Sequence, residues 1–247
     1  MTSIEQHQEE INLNQQRWDQ KPLLQRVYRQ FYQDIASQIS GVGDLCVEIG
    51  SGIGNIKEVI PNCRRTDIFD HPWLDAVENA YDLSFSSGSV SDVILFDVFH
   101  HLRYPGEALV EFQRVLMPRG RLLIFEPCVS ALGRVVYGPM HPEPLGLNLP
   151  ITWQAPERWD PRSMDYYAAQ GNAWRLFVKK NPLPELDGWS VHAIRRSSAF
   201  SYVTSGGYSG PQLYPQMAYP IMRAVDRLLD VLPALFATRL LVVLQKL

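Results

Sequence analysis

The stretch DLCVEIGSGIGN, residues 44–55, decides the fold. A short apolar run, DLCVEI (44–49), ends in Glu48 and Ile49 and passes into glycines at 50, 52 and 54. Apolar runs of this length bounded by glycine read as buried strands, and the glycines let the chain turn sharply into a helix from about Asn55. Working outward, RRTDIF (64–69), AVEN (76–79), DVILFDVF (92–99) and RLLIFE (121–126) read as further strands. Between the last two, Pro105–Leu116 is a helix: Ala108, Leu109, Phe112, Val115 and Leu116 share a face, and Pro118 and Gly120 stop it. Upstream, Leu24, Val27, Tyr28, Phe31, Ile35 and Ile39 recur at helical steps until Gly41. Continuous apolar strands separated by helices give an α/β fold, a doubly wound parallel sheet covered on both faces.

Residues 1–43 form an N-terminal arm and helix, 1–19 being a loose polar arm with partial helix, and residues 44–127 form a cofactor-binding core. Residues 128–188 are rich in proline and aromatics and read as a cap inserted after the fifth strand, with helix near 162–178. Long irregular segments in compact domains commonly serve as lids or binding loops. Residues 189–247 complete the sheet with WSVHAIRR (189–196) and RLLVVLQK (239–246), a helix near 218–230 lying between them.

The chain has 247 residues, 46% of them apolar and 20% charged, which supports one large packed domain and excludes a disordered or rod-like chain. A net charge of -3 provides no basic field for nucleic acid. Three cysteines, Cys46, Cys63 and Cys128, with no CxxC spacing argue against a disulfide framework or structural zinc. They suit a reducing compartment, and the expected location is cytoplasmic. The start MTSIEQHQEEINLNQQ lacks the basic and apolar parts of a signal peptide. Val231–Leu244 is too short and too interrupted to span a membrane, but leaves peripheral membrane contact through the C-terminal tail as an expectation.

The glycine spacing bears on the ligand. A dinucleotide loop reads GxGxxG, with the pyrophosphate on a helix N-terminus. Here it is GxGxG with Glu48 two residues before Gly50. That carboxylate repels a pyrophosphate and tolerates a sulfonium and an amino acid zwitterion, pointing to S-adenosylmethionine rather than NAD. No Gly-Lys-Ser/Thr follows, so a Walker loop is excluded. Asp67, at the end of the second strand and 19 residues after Glu48, can accept both ribose hydroxyls. Its other reading is a cap on the turn into His71 and Pro72, with Asp70 in reserve for the ribose.

VEIGSGIGN, TDIF, AVENAYDLSFSSGSVSDVILFDVFHHL and RVLMPRGRLLIFEP follow one another in the order seen in class I S-adenosylmethionine-dependent methyltransferases, and the chain resembles that family over about residues 44–127. It is most similar to the broad subgroup of quinone- and polysaccharide-pathway methyltransferases. The resemblance implies a seven-stranded sheet, mostly parallel, with an antiparallel last strand. It implies that Glu48, Gly50, Ser51 and Gly52 hold the cofactor's methionine end and ribose side, with Asp67 on the ribose and Ile68 on the adenine. It places Asn79 and Ala80 at the adenine edge, Asn79 standing where the family has an acid, and Asp97 and Val98 beside the methionine moiety.

Methyl transfer mainly requires an acceptor held opposite the sulfonium, plus a base where the acceptor is a hydroxyl. The candidates are His100, His101, Glu126, His141 and Glu143, of which His101, His141 and Glu143 are the expected catalytic set. Linear spacing among them matches no standard ligand pattern, so no metal is expected. Trp153, Trp159, Tyr166, Tyr167 and Trp174 either stack on a ring acceptor or pack the cap. The expected activity is methyl transfer to a small-molecule acceptor, with O-methylation favoured and a sugar or lipid-linked sugar among the acceptors. The competing readings are a catalytically weak S-adenosylmethionine-binding scaffold and, behind it, an NAD-dependent oxidoreductase.

Overall fold

The computed structural model describes residues 4–163 and 166–247. Its centre is a seven-stranded sheet in the order β3-β2-β1-β4-β5-β7-β6. The strands are β1 (Cys46–Ile49), β2 (Cys63–Asp67), β3 (Ala76–Val77), β4 (Val90–Phe96), β5 (Leu116–Pro127), β6 (Trp189–Ser197) and β7 (Arg239–Lys246). The pairings of β1 with β2 and β4, of β2 with β3 and of β4 with β5 are parallel, and β7 alone runs against its neighbours β5 and β6. Strand order reverses between β1 and β4. In open α/β sheets the crevice at such a switch point, beyond the carboxyl ends of the strands, is where ligands bind. The glycine loop and the segment 97–101 are the two chain stretches that leave the sheet there.

Alternation along each central strand splits the core into two layers. Val47, Val93, Leu95, Leu122, Ile124 and Val242 face one side, with α3 (Pro105–Val115) packed over them. Cys46, Ile94, Phe96, Leu123, Phe125 and Val243 face the other, under α2 (Pro22–Ala36). Both helices start with proline in the first turn, where its missing N–H costs nothing and its fixed φ suits the helix.

Several boundaries differ from the sequence expectation. The polar arm is a helix, α1 (Ile4–Asp19), held by Ile11 and by Trp18, which packs against Tyr28 and Tyr208. Two anchors sufficed to order a segment whose composition looked unstructured. β3 is two residues long, and β4 ends at Phe96, which leaves Asp97 and Val98 in the loop. β5 begins at Leu116, because Leu116 pairs with Val90 before the bulged ladder resumes at Arg121.

In the cap, α4 (Ala131–Val136) is followed by irregular chain until a helical turn that runs through Trp174–Lys179 in π geometry. The helix expected near 162–178 thus begins late, and Met164 and Asp165 within that span lie outside the described residues. Three further helices, α5 (Phe200–Ser205), α6 (Tyr219–Leu229) and α7 (Pro233–Phe236), connect β6 to β7.

The apolar tail is mostly interior. Leu240, Leu241, Val242, Val243 and Leu244 are buried in β7 between two partner strands. Only Val231, Leu232 and Leu235 of that stretch remain among the exposed large apolar residues. Among the described residues no helix is long and apolar enough to cross a membrane. All three cysteines are buried free thiols.

Candidate active site

A cavity of about 690 Å³ lies over the switch point and is roofed by the cap, by α1 and by the loop around Tyr208. Every residue expected to bind the cofactor lines it: Glu48, Gly50, Ser51, Gly52, Asp67, Ile68, Asn79, Ala80, Asp97 and Val98. So do His101, His141 and Glu143. The fold therefore brings together residues that span almost a hundred positions of sequence.

The glycine loop is built for close approach. Gly50 has φ +69°, and a Cβ there would sit 2.5 Å from Val98 Cγ2, so glycine is what lets the β1 and β4 loops touch. Gly52 has φ +52°, yet a Cβ there would meet nothing within 4 Å, because it faces the cavity. Ser51 staples the loop to β2: its N–H donates to Thr66 O at 2.8 Å, and its Oγ accepts from Thr66 N at 3.2 Å. Glu48 is 1% exposed, and its Oε2 has no hydrogen-bond partner. Burial pushes its carboxyl up to about 8, opposed by a hydrogen bond from Ser51 and reinforced by the nearby Asp67. A buried, half-satisfied carboxylate on a ligand cavity is a receptor for a cation.

Asp67 takes the capping role and keeps room for the other. Its Oδ2 accepts from Gly52 N at 2.9 Å and its Oδ1 from Phe69 N at 3.2 Å, so it holds the glycine loop to the β2 turn while lining the cavity. A carboxylate has about four acceptor sites, which leaves capacity for a diol. Asn79 is more committed than expected, its Nδ2 donating to Pro161 O at 2.6 Å and its Oδ1 accepting from Tyr81 N at 3.0 Å. It ties the adenine-side loop to the cap and keeps one lone pair on Oδ1.

Asp97 sits at φ +55° and is paired with Arg239 at 2.5 Å. Arg239, 1% exposed, lies within 4.7–5.7 Å of the rings of Phe31, Phe96, Phe125 and Tyr202. This aromatic cage with one carboxylate fixes both charges behind the cofactor loop. Sequence reading missed Arg239, because its partner is 142 residues away.

At the other end of the cavity, polar side chains from three segments converge. His100 Nδ1 is 2.7 Å from Glu126 Oε2, and its Nε2 is 3.4 Å from Glu143 Oε2. Burial alone would lower the His100 pKa, but Glu126 and Glu143 outweigh it and hold the imidazole up to about 10. His101 Nδ1 lies 2.8 Å from the Tyr167 carbonyl, and its Nε2 is 3.7 Å from Glu143 Oε1. Glu143 accepts from Tyr166 Oη at 2.5 Å and from Gln170 Nε2 at 3.0 Å. Burial raises its carboxyl, but the two histidines and the tyrosine hydroxyl overcome this and hold it below the ordinary carboxylate range. His141 Nδ1 accepts from Glu143 N at 3.2 Å and from Gln170 Nε2 at 2.5 Å, and burial lowers its pKa. The Glu143 N–H can only donate, so Nδ1 carries the lone pair and the His141 proton sits on Nε2, which lies 3.4 Å from the same Gln170 nitrogen.

The cap is docked by the same contacts: Ala169 N donates to His100 O at 3.0 Å, beside the His101–Tyr167 bond. Of the five cap aromatics, Tyr166 and Tyr167 line the cavity. Trp153 packs over Gly106, Trp159 sits edge-on to Tyr81 and Tyr104, and Trp174 belongs to the core, so these three serve packing. Gln170, the residue linking His141 to Glu143, carried no signal in the sequence.

Residues 56–124 match the family model described as a methyltransferase domain. No curated protein matches the chain. Among solved structures, a SAM-dependent methyltransferase from Archaeoglobus fulgidus is 10% identical, with 90% of this chain and 94% of that one aligned at a TM-score of 0.51. A SAM-dependent methyltransferase from Thermotoga maritima is 13% identical, with 93% and 95% aligned at 0.50. A candidate methyltransferase of an antibiotic biosynthesis pathway in Anabaena variabilis is 19% identical at a TM-score of 0.34, and this chain spans less than half of its length, 46%, with 40% of this chain aligned.

The fit of the cavity to the cofactor rests on the unpartnered Glu48 oxygen, the open space at Gly52 and the remaining capacity of Asp67. With the match of residues 56–124 to a methyltransferase domain and the seven-stranded sheet shared with the two structures just described, the chain carries a methyltransferase domain on that fold, with S-adenosylmethionine as its cofactor.

Proposed function

We propose that the enzyme methylates a hydroxyl group of a small-molecule acceptor bound beneath the cap. The observation that carries this reading is that one cavity joins the glycine loop to the His101–Glu143–His141 cluster. When bound, S-adenosylmethionine supplies a methyl group already activated on a sulfonium sulfur. The chain's own tasks are to neutralise that cation, to place the acceptor and to receive a proton. Glu48, ionised once a cation lies beside it, provides the negative charge on the cofactor side, Asp97 being matched by Arg239. On the acceptor side, the carbonyl partner of His101 Nδ1 sets the tautomer that makes Nε2 a proton acceptor, and Glu143 beside it stabilises the imidazolium that forms. Neutral His141 offers its Nε2–H as a donor to a second acceptor oxygen. Ring faces from Tyr166 and Tyr167 beside several polar groups suit a polyhydroxylated ring, so sugars and lipid-linked sugars are the acceptor class to test first.

The experiment is transfer of labelled methyl from S-adenosylmethionine to panels of sugars, phenols and amines, with His101→Asn and Glu143→Gln in parallel. Hydroxyl acceptors should be turned over, and both variants should lose about 10²–10⁴-fold in kcat with S-adenosylhomocysteine affinity unchanged. Wild-type turnover by both variants, or transfer confined to amines, would overturn the reading.

A further inference from the structure

The acceptor end of the cavity has the architecture of a metal site. His100, His101 and Glu143 each offer a ligand atom, and these atoms all lie within 4.8 Å of one another. In both rings Nδ1 faces a group that can only accept in its ionised or carbonyl form: the Glu126 carboxylate for His100 and the Tyr167 carbonyl for His101. In a neutral ring that arrangement puts the proton on Nδ1 and turns Nε2 toward Glu143, and on His100 an ion would displace the proton that the two carboxylates otherwise hold there. A histidine that donates its other N–H to a carboxylate or a main-chain carbonyl is the usual outer-shell support of a metal ligand, because it fixes the tautomer and raises ligand basicity. The carboxylate is supported in the same way, with its two oxygens held by Tyr166 and Gln170. Glu126 is itself fixed by the Phe99 N–H at 2.6 Å.

The spacing agrees with the chemistry. Tetrahedral zinc bonds of about 2.0–2.1 Å place neighbouring ligand atoms about 3.3–3.4 Å apart. Glu143 Oε2 lies 3.4 Å from His100 Nε2 and Glu143 Oε1 3.7 Å from His101 Nε2, so a small rotation of the carboxylate would bring one oxygen to both rings. Charge also agrees. A cation between Glu126 and Glu143, proton or metal, is what this buried pocket favours, since the nearby Asp97 is already matched by Arg239. We propose that His100, His101 and Glu143 hold one divalent transition-metal ion of the zinc type. Its open positions face the cavity, where they would take oxygen donors of an acceptor, best a hydroxyl beside a second oxygen; with the ion bound, His101 Nε2 is a ligand rather than the base, the ion lowers the hydroxyl pKa, and the proton leaves to solvent. The acceptor part of this proposal rests on the hydroxyl-acceptor reading above; the metal part does not. A proton on His100 Nε2, bridging Glu126 and Glu143, is the competing occupant. Linear spacing concealed the site, since two ligands are adjacent in sequence and the third comes from the cap.

The test uses the full chain, stripped with a chelator and free of cofactor and acceptor. Zn²⁺ is titrated in competition with a chelating dye, and Co²⁺ is followed by its visible absorption. The expected result is saturation at a 1:1 ratio with the absorption of a four- or five-coordinate nitrogen–oxygen site. Glu143→Gln and His101→Ala should each weaken binding by about 100-fold or more, and Glu126→Gln by about 10–100-fold through the ring it supports. S-adenosylhomocysteine binding by each variant serves as the control for folding, and Glu143→Gln, a shape-preserving change in the cap, keeps the test decisive if a histidine variant unfolds. No saturable binding by the wild type, or unchanged binding by Glu143→Gln, would overturn the proposal and leave the bridging proton in place. Full-rate methyl transfer to a hydroxyl by metal-free enzyme would overturn the metal and keep the proposed function. A bound ion with transfer confined to amines would keep the metal and overturn the proposed function.

Discussion

Glu48→Gln isolates the most exposed consequence of the cofactor site. Glu48 is buried, one of its oxygens is unpartnered, and its carboxyl titrates near 8 in the folded chain against 4.5 for a solvated glutamate. Between these two values the folded state binds more protons than the unfolded state, so stability falls as pH rises from about 4.5 through about 8. A pKa difference of one corresponds to about 1.36 kcal/mol, so the full interval amounts to about 5 kcal/mol as an upper bound. Water reaching the carboxylate through the cavity reduces this to roughly 2–4 kcal/mol. A glutamine at this position cannot titrate. The variant should match the wild type in stability near pH 5 and exceed it by that amount near pH 9.

Cofactor binding should show the mirror image. A cation beside Oε2 favours the ionised form, so wild-type affinity for S-adenosylhomocysteine, through its ammonium group, should rise by up to about tenfold per pH unit below 8. The variant's affinity should be weaker and flat. Chemical denaturation and calorimetric titration, both from pH 5 to 9, measure the two halves. Parallel stability curves for the two proteins would show that Glu48 is solvated in the cavity, and the electrostatic account of cofactor recognition would fail.

Gly52→Val should abolish S-adenosylhomocysteine binding, measured by calorimetry, while the chain still folds, because the new side chain enters the cavity rather than the core. Gly50→Ala should instead lower the melting temperature, since its Cβ would collide with Val98. Asp67→Ala should weaken cofactor binding by about 2–3 kcal/mol, the carboxylate serving both as ribose acceptor and as cap on Gly52 N; unchanged affinity together with a defect in Asp70→Ala would move the ribose role to Asp70. Arg239→Met should cost about 1–3 kcal/mol in denaturant unfolding, because it leaves the partly exposed Asp97 without its partner while methionine keeps the aromatic cage filled. His141→Ala should reduce turnover and leave cofactor affinity within about twofold, as its contacts are with Glu143 and Gln170 rather than the glycine loop.

Local patterns in the chain were enough to specify the layered α/β architecture, the glycine loop and the cofactor end of the cavity. A strand's apolar run, the acid before Gly50 and the turn that places Asp67 each lie within a few residues of one another, and short-range sterics and burial fix them. The order of strands, and with it the meeting of the β1 and β4 loops, depends on the reversal between β1 and β4, which no local pattern records. Other features waited on long-range packing. The polar residues 4–19 became a helix because distant Tyr28 and Tyr208 gave Trp18 a seat. Leu240–Leu244, apolar enough to suggest a membrane contact, became an interior strand because β5 and β6 lie on either side of it. Arg239 found Asp97, and Glu143 found His100 and His101, across 142, 43 and 42 residues of chain respectively. Such pairings depend on where an irregular, proline-rich cap and a closing strand come to rest. That resting place is set by the sum of many weak packing contacts, which no periodicity in the sequence records.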